Sequence, residues 1–169
     1  LGVTVDVAAD AVAPFHPGRC ARVALTDGTL VGHVGELHPK AVAALGLPAR
    51  TVGGELDLDV LTVASEGTVQ ADTLRSFPMA QSDVAVVIDE AVPSSDVARA
   101  LRSGAGEHLE ALTLFDVYRG DQVGEGRKSL AYRLTFRAPD RTLTTDEVSG
   151  LRDGALAAAA AAVGAVQRA

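Results

Sequence analysis

The stretch Leu114–Phe136 reads LFDVYRGDQVGEGRKSLAYRLTF and predicts a β-hairpin. Two runs with strand-like alternation flank a glycine-rich loop, Gly120–Gly126. The loop lacks the Gly-Lys-Ser/Thr ending of a phosphate-binding loop, and a strand rather than a helix follows it, so no helix N-terminus is available to hold an anion. The glycines therefore indicate a turn, and the candidate chemistry lies on the two strands.

The segments on either side of this hairpin complete a regular order of elements. A buried-type strand comes first, and a helix follows it that begins at Ser94 or Ser95 and ends at Gly104 or Gly106. After the hairpin, Thr144 and Glu147 form a capping box that starts a second helix. The predicted strands are Asp83–Asp89, His108–Tyr118, Lys128–Arg137 and a short one after Gly164. The order β-α-β-β-α-β predicts an α+β fold with a ferredoxin-like antiparallel sheet.

Side-chain alternation divides the hairpin into two faces. One face of the second strand is apolar and is expected to meet the helices; it carries Leu130, Tyr132, Leu134 and Phe136. The opposite, open face carries Ser129, Ala131, Arg133, Thr135 and Arg137. In simple register, Asp116 and Tyr118 join that open face, whereas Phe115 and Val117 point the other way.

An open sheet face with an aromatic ring and short polar groups suits single-stranded RNA, because unpaired bases stack on the ring while polar groups read their edges. Tyr118 would stack, Asp116 would accept from a base amine, and Ser129 would donate or accept. The basic candidates for phosphate contacts are Lys128, Arg133 and Arg137. An ordinary exposed antiparallel face with one amphipathic tyrosine is the alternative interpretation.

Charge is uneven along the chain of 169 residues. The formal net charge of −7 disfavours bulk binding to nucleic acid and gives no reason to expect DNA as a partner. The window 115–141, however, holds six basic and four acidic side chains, a net charge of +2. A solvated strand face would give the same count, so charge alone leaves both interpretations open.

The remaining composition indicates a cytoplasmic protein. Hydrophobic residues make up 47% of the chain, which permits real cores. The single cysteine, Cys20, excludes an intrachain disulfide framework and is expected to be a small buried residue. Neither a leader segment nor a membrane-length apolar run is evident, so no membrane partner is expected. Because the chain begins at Leu1 and its only methionine is Met79, we expect a fragment of a longer protein.

The first part of the chain has mixed character and offers weaker candidates. The Asp-Gly pair at 27–28 predicts a hairpin, Pro39 and Gly46 bound a short helix, and Gly54–Leu61 alternates like a strand. Residues 62–76 show no sustained period and are expected to be a linker. The side chains considered for metal or catalysis are His16, His33, His38, Cys20, Asp57 and Asp59. Their spacing favours turns, packing and a solvated strand face, so no catalytic or metal site is expected.

Several motifs together resemble one known family over nearly the whole chain. They are PFHPGRCA, VGHVGELHP, GELDLDVL, FPMAQSDVAVVID, LFDVYRG, GRKSLAYRLTFRAPDRTLTTDEV and GAVQR. In this order they resemble the C-terminal region of bacterial phenylalanine–tRNA ligase beta subunits. By that resemblance, residues 1–75 end a catalytic-like but non-catalytic module with a class II synthetase-like α+β fold, and residues 76–169 form a ferredoxin-fold anticodon-binding domain.

The resemblance implies a function and partners. Family members belong to an α2β2 heterotetramer that joins phenylalanine to its tRNA with ATP and Mg²⁺, with catalysis in the alpha subunit. Anticodon contacts of the family map onto Asp116, Tyr118 and Ser129, whereas Ser82 and Gln167 depart from the family pattern. This fragment alone is therefore expected to bind the anticodon without catalysing aminoacylation. The alternatives are a ferredoxin-like regulatory module that binds a small molecule, or a fragment that only packs subunits together.

Overall fold

The computed structural model describes residues 1–65 and 77–168. The chain divides into two compact units, Leu1–Asp72 and Thr73–Ala169, and each is described by itself. The predicted boundary between residues 75 and 76 lies within the undescribed segment 66–76, outside the described residues, and stays a prediction. Within the described ranges, no helix is both long and apolar enough to cross a membrane.

The first unit contains a four-stranded antiparallel sheet whose strands lie side by side in chain order. The predicted hairpin and short helix are both present, and Gly46 ends that helix in the left-handed conformation with φ 63°. Such a conformation costs a glycine little, which explains why the helix stops there. The elements are β1 (Val5–Asp10), β2 (Phe15–Leu25), β3 (Leu30–Leu37), α1 (Pro39–Leu45), β4 (Val52–Leu56) and α2 (Leu58–Ala64).

The prediction of one strand over Gly54–Leu61 is wrong in its second half. Strand β4 ends at Leu56, and helix α2 begins immediately afterwards. The Asp57 side chain is the cause, because it accepts hydrogen bonds from the backbone amides of Asp59 and Val60 at 2.9 and 3.1 Å. Residues 62–64 of the predicted linker belong to this helix, and residues 66–76 lie outside the described range.

The second unit has the predicted β-α-β-β-α-β order. The elements are β5 (Ala80–Asp89), α3 (Ser94–Gly104), β6 (Leu109–Tyr118), β7 (Arg127–Phe136), α4 (Thr145–Val163) and β8 (Val166–Gln167). The sheet is antiparallel throughout, with strand order β6-β7-β5-β8. The capping box predicted at Thr144 and Glu147 is confirmed in both of its hydrogen bonds.

The core of this unit lies between one face of the sheet and the two helices. The four apolar side chains of β7 are 0–1% exposed, as alternation predicts. They belong to one cluster with α3 residues Val97 and Leu101 and α4 residues Ala155 and Ala159. The Tyr132 hydroxyl donates to the Ser94 carbonyl at 2.8 Å, and burial raises the pKa of Tyr132 to about 12.

Helices α3 and α4 meet through a pair of glycines. A Cβ added at Gly104 would lie 2.4 Å from the Gly154 carbonyl oxygen, and one added at Gly154 would lie 2.7 Å from the Gly104 carbonyl oxygen. Larger side chains at either position would therefore force the helices apart. With both helices on one side, the other face of the sheet is left open.

Candidate nucleic-acid interface

Strand pairing brings Asp116, Tyr118 and Ser129 onto the open face. Tyr118 pairs directly with Ser129, and Asp116 pairs with Ala131. Ser129 and Ala131 alternate with the buried side chains of β7, and residues directly opposite each other share a face. The predicted juxtaposition of these three residues is therefore present.

Ser129 is covered by its neighbours. It is 3% exposed, although it faces away from the helices. Across the sheet, Tyr118, Ser129, Val87 and Val166 form one row. Three strand spacings of about 4.8 Å separate β6 from β8, so the ends of the row are about 14 Å apart.

A side chain that follows β8 in sequence meets the ring of Tyr118. The Arg168 guanidinium carbon lies 5.0 Å from the centroid of the Tyr118 ring, a cation–π arrangement. Arg168 also donates a hydrogen bond to the side-chain oxygen of Gln122. The Tyr118 ring extends along β6 towards the loop, because a Cβ added at Gly120 would lie 2.5 Å from its hydroxyl oxygen. Arg168 and Tyr118 therefore meet beside the loop.

Arg133 and Arg137 both carry a carboxylate partner. Arg133 binds Asp83 through two parallel hydrogen bonds of 2.8 and 2.7 Å, and this bonding holds the pKa of Asp83 below its usual range. The Arg137 Nε atom lies 2.8 Å from a Glu110 carboxylate oxygen. The positive charge expected from the sequence is therefore largely balanced on this sheet.

Lys128 is not brought to the open face with the other candidates. It pairs with Ile88, which is 1% exposed on the helix-covered face, and Lys128 itself is 7% exposed. Its ammonium group donates to the Glu90 backbone carbonyl at 2.8 Å. The alternation that places Ser129 outward places Lys128 inward, so a phosphate contact by Lys128 has no support in this geometry.

Phe115 lies on the open face, which the simple register did not predict. Leu114 pairs with Tyr132 and Asp116 with Ala131, so Phe115 is an additional residue in a β-bulge. The Phe115 ring centroid lies 5.4 Å from the guanidinium carbon of Arg133, which points away from the helices. The prediction that Phe115 and Val117 share a face is therefore wrong, and no sequence period signals the bulge.

The glycine-rich loop joins the strands as a turn with a short 3-10 helix at Asp121–Val123. Arg119 beside it binds Glu90 at 2.8 to 3.1 Å and lowers the pKa of that carboxyl. The depression over the loop is lined by three carboxylates, those of Glu90, Asp121 and Glu125, and by the two arginines Arg119 and Arg127. Acidic side chains outnumber basic ones there, so the depression offers no excess of positive charge to a phosphate, in agreement with the turn interpretation.

The candidates of the first unit have local structural roles. Cys20 is buried and unbridged, as expected for a small core residue. His33 lies 3.1 Å from an Asp10 carboxylate oxygen, and the His38 ring nitrogen accepts from the Lys40 amide at the start of α1. Across the described ranges, no group of three or more histidine, cysteine, aspartate or glutamate side chains is placed to hold a metal ion.

The fold and the open face together define a class of protein. A four-stranded antiparallel sheet with two helices on one side and polar and aromatic groups on the other is a ferredoxin-like α+β module. The family model described as the ferredoxin-fold anticodon binding domain matches residues 76–168, and the chain belongs to this family. A second family model, the phenylalanyl tRNA synthetase beta chain CLM domain, matches residues 1–58.

Similar proteins support the resemblance along the whole chain. Phenylalanine–tRNA ligase beta subunits of Thermobifida fusca, Streptomyces avermitilis and Nocardia farcinica are 53%, 52% and 53% identical to it. Each alignment covers 99% of this chain and 20% of the relative. The chain thus spans a fifth of the length of these relatives, and the resemblance inferred from the motifs is confirmed.

Proposed function

We propose that the second unit recognises the anticodon of phenylalanine tRNA as part of a phenylalanine–tRNA ligase. The observation that carries this proposal is the direct pairing of Tyr118 with Ser129, with Asp116 next to them on the same open face. An aromatic ring beside a hydroxyl and a carboxylate supplies stacking and base-edge hydrogen bonds together. The name shared by the similar beta subunits supports the choice of tRNA.

Recognition by Ser129 requires its surroundings to open. Because Ser129 is 3% exposed, a base reaches the serine hydroxyl only after a neighbouring side chain moves. A base that stacks on Tyr118 would replace the guanidinium on the ring face. The exposed Asp116 carboxylate would then accept from an exocyclic amine of the same or an adjacent base.

The surrounding enzyme would supply the chemistry of aminoacylation. In this proposal the complex is a cytoplasmic α2β2 heterotetramer that attaches phenylalanine to tRNA with ATP and Mg²⁺, and the alpha subunit holds the catalytic residues. Residues 76–169 deliver the anticodon contact, and residues 1–75 are the end of the catalytic-like module. ATP and Mg²⁺ would act away from the open face, so no reaction step is assigned to this chain.

The test is a titration of the chain with an RNA stem-loop that carries the phenylalanine anticodon. Tyr118→Ala is expected to weaken binding by roughly 1–3 kcal/mol, the range for loss of one stacked base. Ser129→Ala is expected to weaken it by about 1 kcal/mol through a lost hydrogen bond. Val117→Ala is the matched control, because Val117 pairs with buried Leu130 and so faces the helices.

Two results would oppose the proposal. One is an affinity that is the same in Tyr118→Ala, Ser129→Ala and the unchanged chain. The other is equal binding of a stem-loop with a scrambled anticodon, which would show that the face does not read bases. Thermal unfolding of each variant verifies that the fold is retained.

For the first unit we propose a packing role against the alpha subunit. Large apolar side chains are exposed on it, with Leu30 at 51%, Leu58 at 68% and Val63 at 87%. Apolar surface of this kind is typical of contacts between proteins. Pull-down of the alpha subunit by the chain with and without residues 76–169 tests this: retained capture supports packing by the first unit, and lost capture refutes it.

A further inference from the structure

The bulge in β6 adds a second aromatic ring to the open face. Phe115 is the residue inserted between the pairs Leu114–Tyr132 and Asp116–Ala131. It is 54% exposed, an unusually high value for a phenylalanine in the middle of a strand. Bulges are frequent beside functional sites because they redirect a side chain.

The ring rests against a fixed guanidinium group. The Arg133 guanidinium carbon is 5.4 Å from the ring centroid, which places a cation over one face of the ring. Two hydrogen bonds to Asp83, at 2.8 and 2.7 Å, hold that guanidinium in place. One ring face is thus supported from below, and the exposure of Phe115 leaves the outer part accessible.

This ring is separate from the position of Tyr118. Phe115 and Tyr118 are three residues apart on β6, which corresponds to about 10 Å along the strand. The Phe115 ring lies against Arg133, whereas the Tyr118 ring extends in the other direction, towards Gly120. One nucleobase therefore does not stack on both rings. The two aromatic residues therefore offer two positions along the open face.

Polar side chains occupy strand positions near Phe115 on the open face. Thr113 pairs with Arg133, and Arg133 pairs with Asp83 on its other side. Next to that row, Gln81 pairs with Thr135. An aromatic ring among hydrogen-bonding groups fits a base with polar edges better than an apolar protein segment, since the fully buried centres of protein interfaces are more apolar.

We propose that Phe115, supported by Arg133, is a second stacking position for an unpaired base of single-stranded RNA. This inference rests on the proposed function and adds a binding residue to the same face. Tyr118 and Phe115 contact different nucleotides of one anticodon loop. Arg133 acts as a positioning residue for the ring, with its charge balanced by Asp83, rather than as a free phosphate ligand.

The experiment places 2-aminopurine in turn at each anticodon position of the stem-loop and measures its fluorescence on binding the chain. Stacking on an aromatic ring quenches this base, so each variant should restore fluorescence at the nucleotide whose partner it removes. Phe115→Ala is expected to lower affinity at least about 5-fold and to restore fluorescence at a different nucleotide from Tyr118→Ala. Val117→Ala, from the opposite face of the same strand, should change neither.

The outcomes separate the two proposals. If Tyr118→Ala weakens binding and Phe115→Ala leaves affinity and fluorescence unchanged, the second stacking position is refuted and the proposed function stands. If both variants bind as the unchanged chain does, the second stacking position and the proposed function both fail. Restoration at the same nucleotide in both variants also refutes a separate position.

Arg133→Met tests the positioning role. Loss of the guanidinium group that supports the Phe115 ring is expected to restore fluorescence at the nucleotide that responds to Phe115→Ala. The salt dependence of binding should be unchanged. A phosphate ligand would behave differently: its loss would weaken binding without a nucleotide-specific signal and reduce the salt slope by about 1. The pattern of a phosphate ligand would refute the positioning role. Phe115→Leu keeps the apolar bulk of the side chain without its aromatic face and serves as the companion variant.

Discussion

The two tyrosines of the chain lie on opposite faces of one sheet. Tyr132 is 1% exposed, and its hydroxyl donates to the Ser94 carbonyl at the start of α3. Tyr118 is half-buried on the open face, where its ring meets the guanidinium of Arg168 rather than the core. The same residue type therefore packs against the helices on one face of the sheet and lies on the open face in the other case.

This contrast indicates that stability and recognition are separable in the second unit. The helix-covered face holds the apolar cluster, and its side chains are almost fully removed from water. The open face holds ion pairs and partly exposed rings, which contribute little to stability when accessible to solvent. Substitutions on one face should alter unfolding, and substitutions on the other should alter RNA affinity.

The largest effect is expected from Tyr132→Ala. Removal of a fully buried ring should lower the free energy of unfolding by about 3–5 kcal/mol. Tyr118→Ala, which removes a half-buried ring and its cation–π contact, should lower it by only about 1 kcal/mol. Urea unfolding of the two variants measures both values. Equal losses would mean that Tyr118 is also part of the core and would remove the contrast between the faces.

Gly154→Ala should have the next largest effect. The added methyl would lie 2.7 Å from the Gly104 carbonyl oxygen, so the helices must shift, at a cost of about 1–3 kcal/mol. Gly150→Ala in the same helix is the control, because no atom lies within 4 Å of its added Cβ. That substitution should stabilise the fold by about 0.5–1 kcal/mol. A stabilising Gly154→Ala would contradict the close glycine contact.

RNA affinity should depend only weakly on salt. Asp83 and Glu110 balance Arg133 and Arg137, so few phosphates lose their counterions on binding. With up to three phosphate contacts, the slope of log K against log salt is expected to be no steeper than about −2. Titration of the stem-loop between low and moderate salt gives this slope. A value near −5 would show that charge, rather than stacking and base-edge contacts, dominates the open face.

A further effect, confined to alkaline pH, concerns Tyr132. Burial raises its pKa from 10.0 to about 12, so the unfolded chain loses this proton at lower pH than the folded chain does. The contribution of Tyr132 to the free energy of unfolding is fully present below pH 10 and is lost as the pH rises towards about 12. Tyr132→Phe should remove that part of the decline in stability at alkaline pH. An identical decline in both chains, measured by urea unfolding at several pH values, would contradict the assignment.

Much of the second unit follows from alternation and capping. The apolar residues of β7, the capping box at Thr144 and the pairing of Tyr118 with Ser129 all depend on local patterns that the sequence displays. The short terminal strand also forms as predicted, at Val166–Gln167. These features are predictable because each depends on residues close together in one element or on a single hairpin register.

The remainder depends on contacts that no local pattern encodes. The bulge that turns Phe115 outward arises from the pairing of whole strands, and the contact of Arg168 with Tyr118 joins the two edges of the sheet. The charge of Lys128 suggests an exposed side chain, whereas its strand position and the Glu90 carbonyl favour burial. Strict alternation from Ser129 predicts the inward position of Lys128 that the structure has.

The central claim is that the open face of the second unit contacts the anticodon. The most direct measurement is photo-crosslinking from a reactive nucleotide placed in turn at each anticodon position, followed by identification of the crosslinked peptides. The account predicts crosslinks to the hairpin strands, at Phe115, Tyr118 and their neighbours on β7. Crosslinks confined to α3, α4 or the first unit would contradict it.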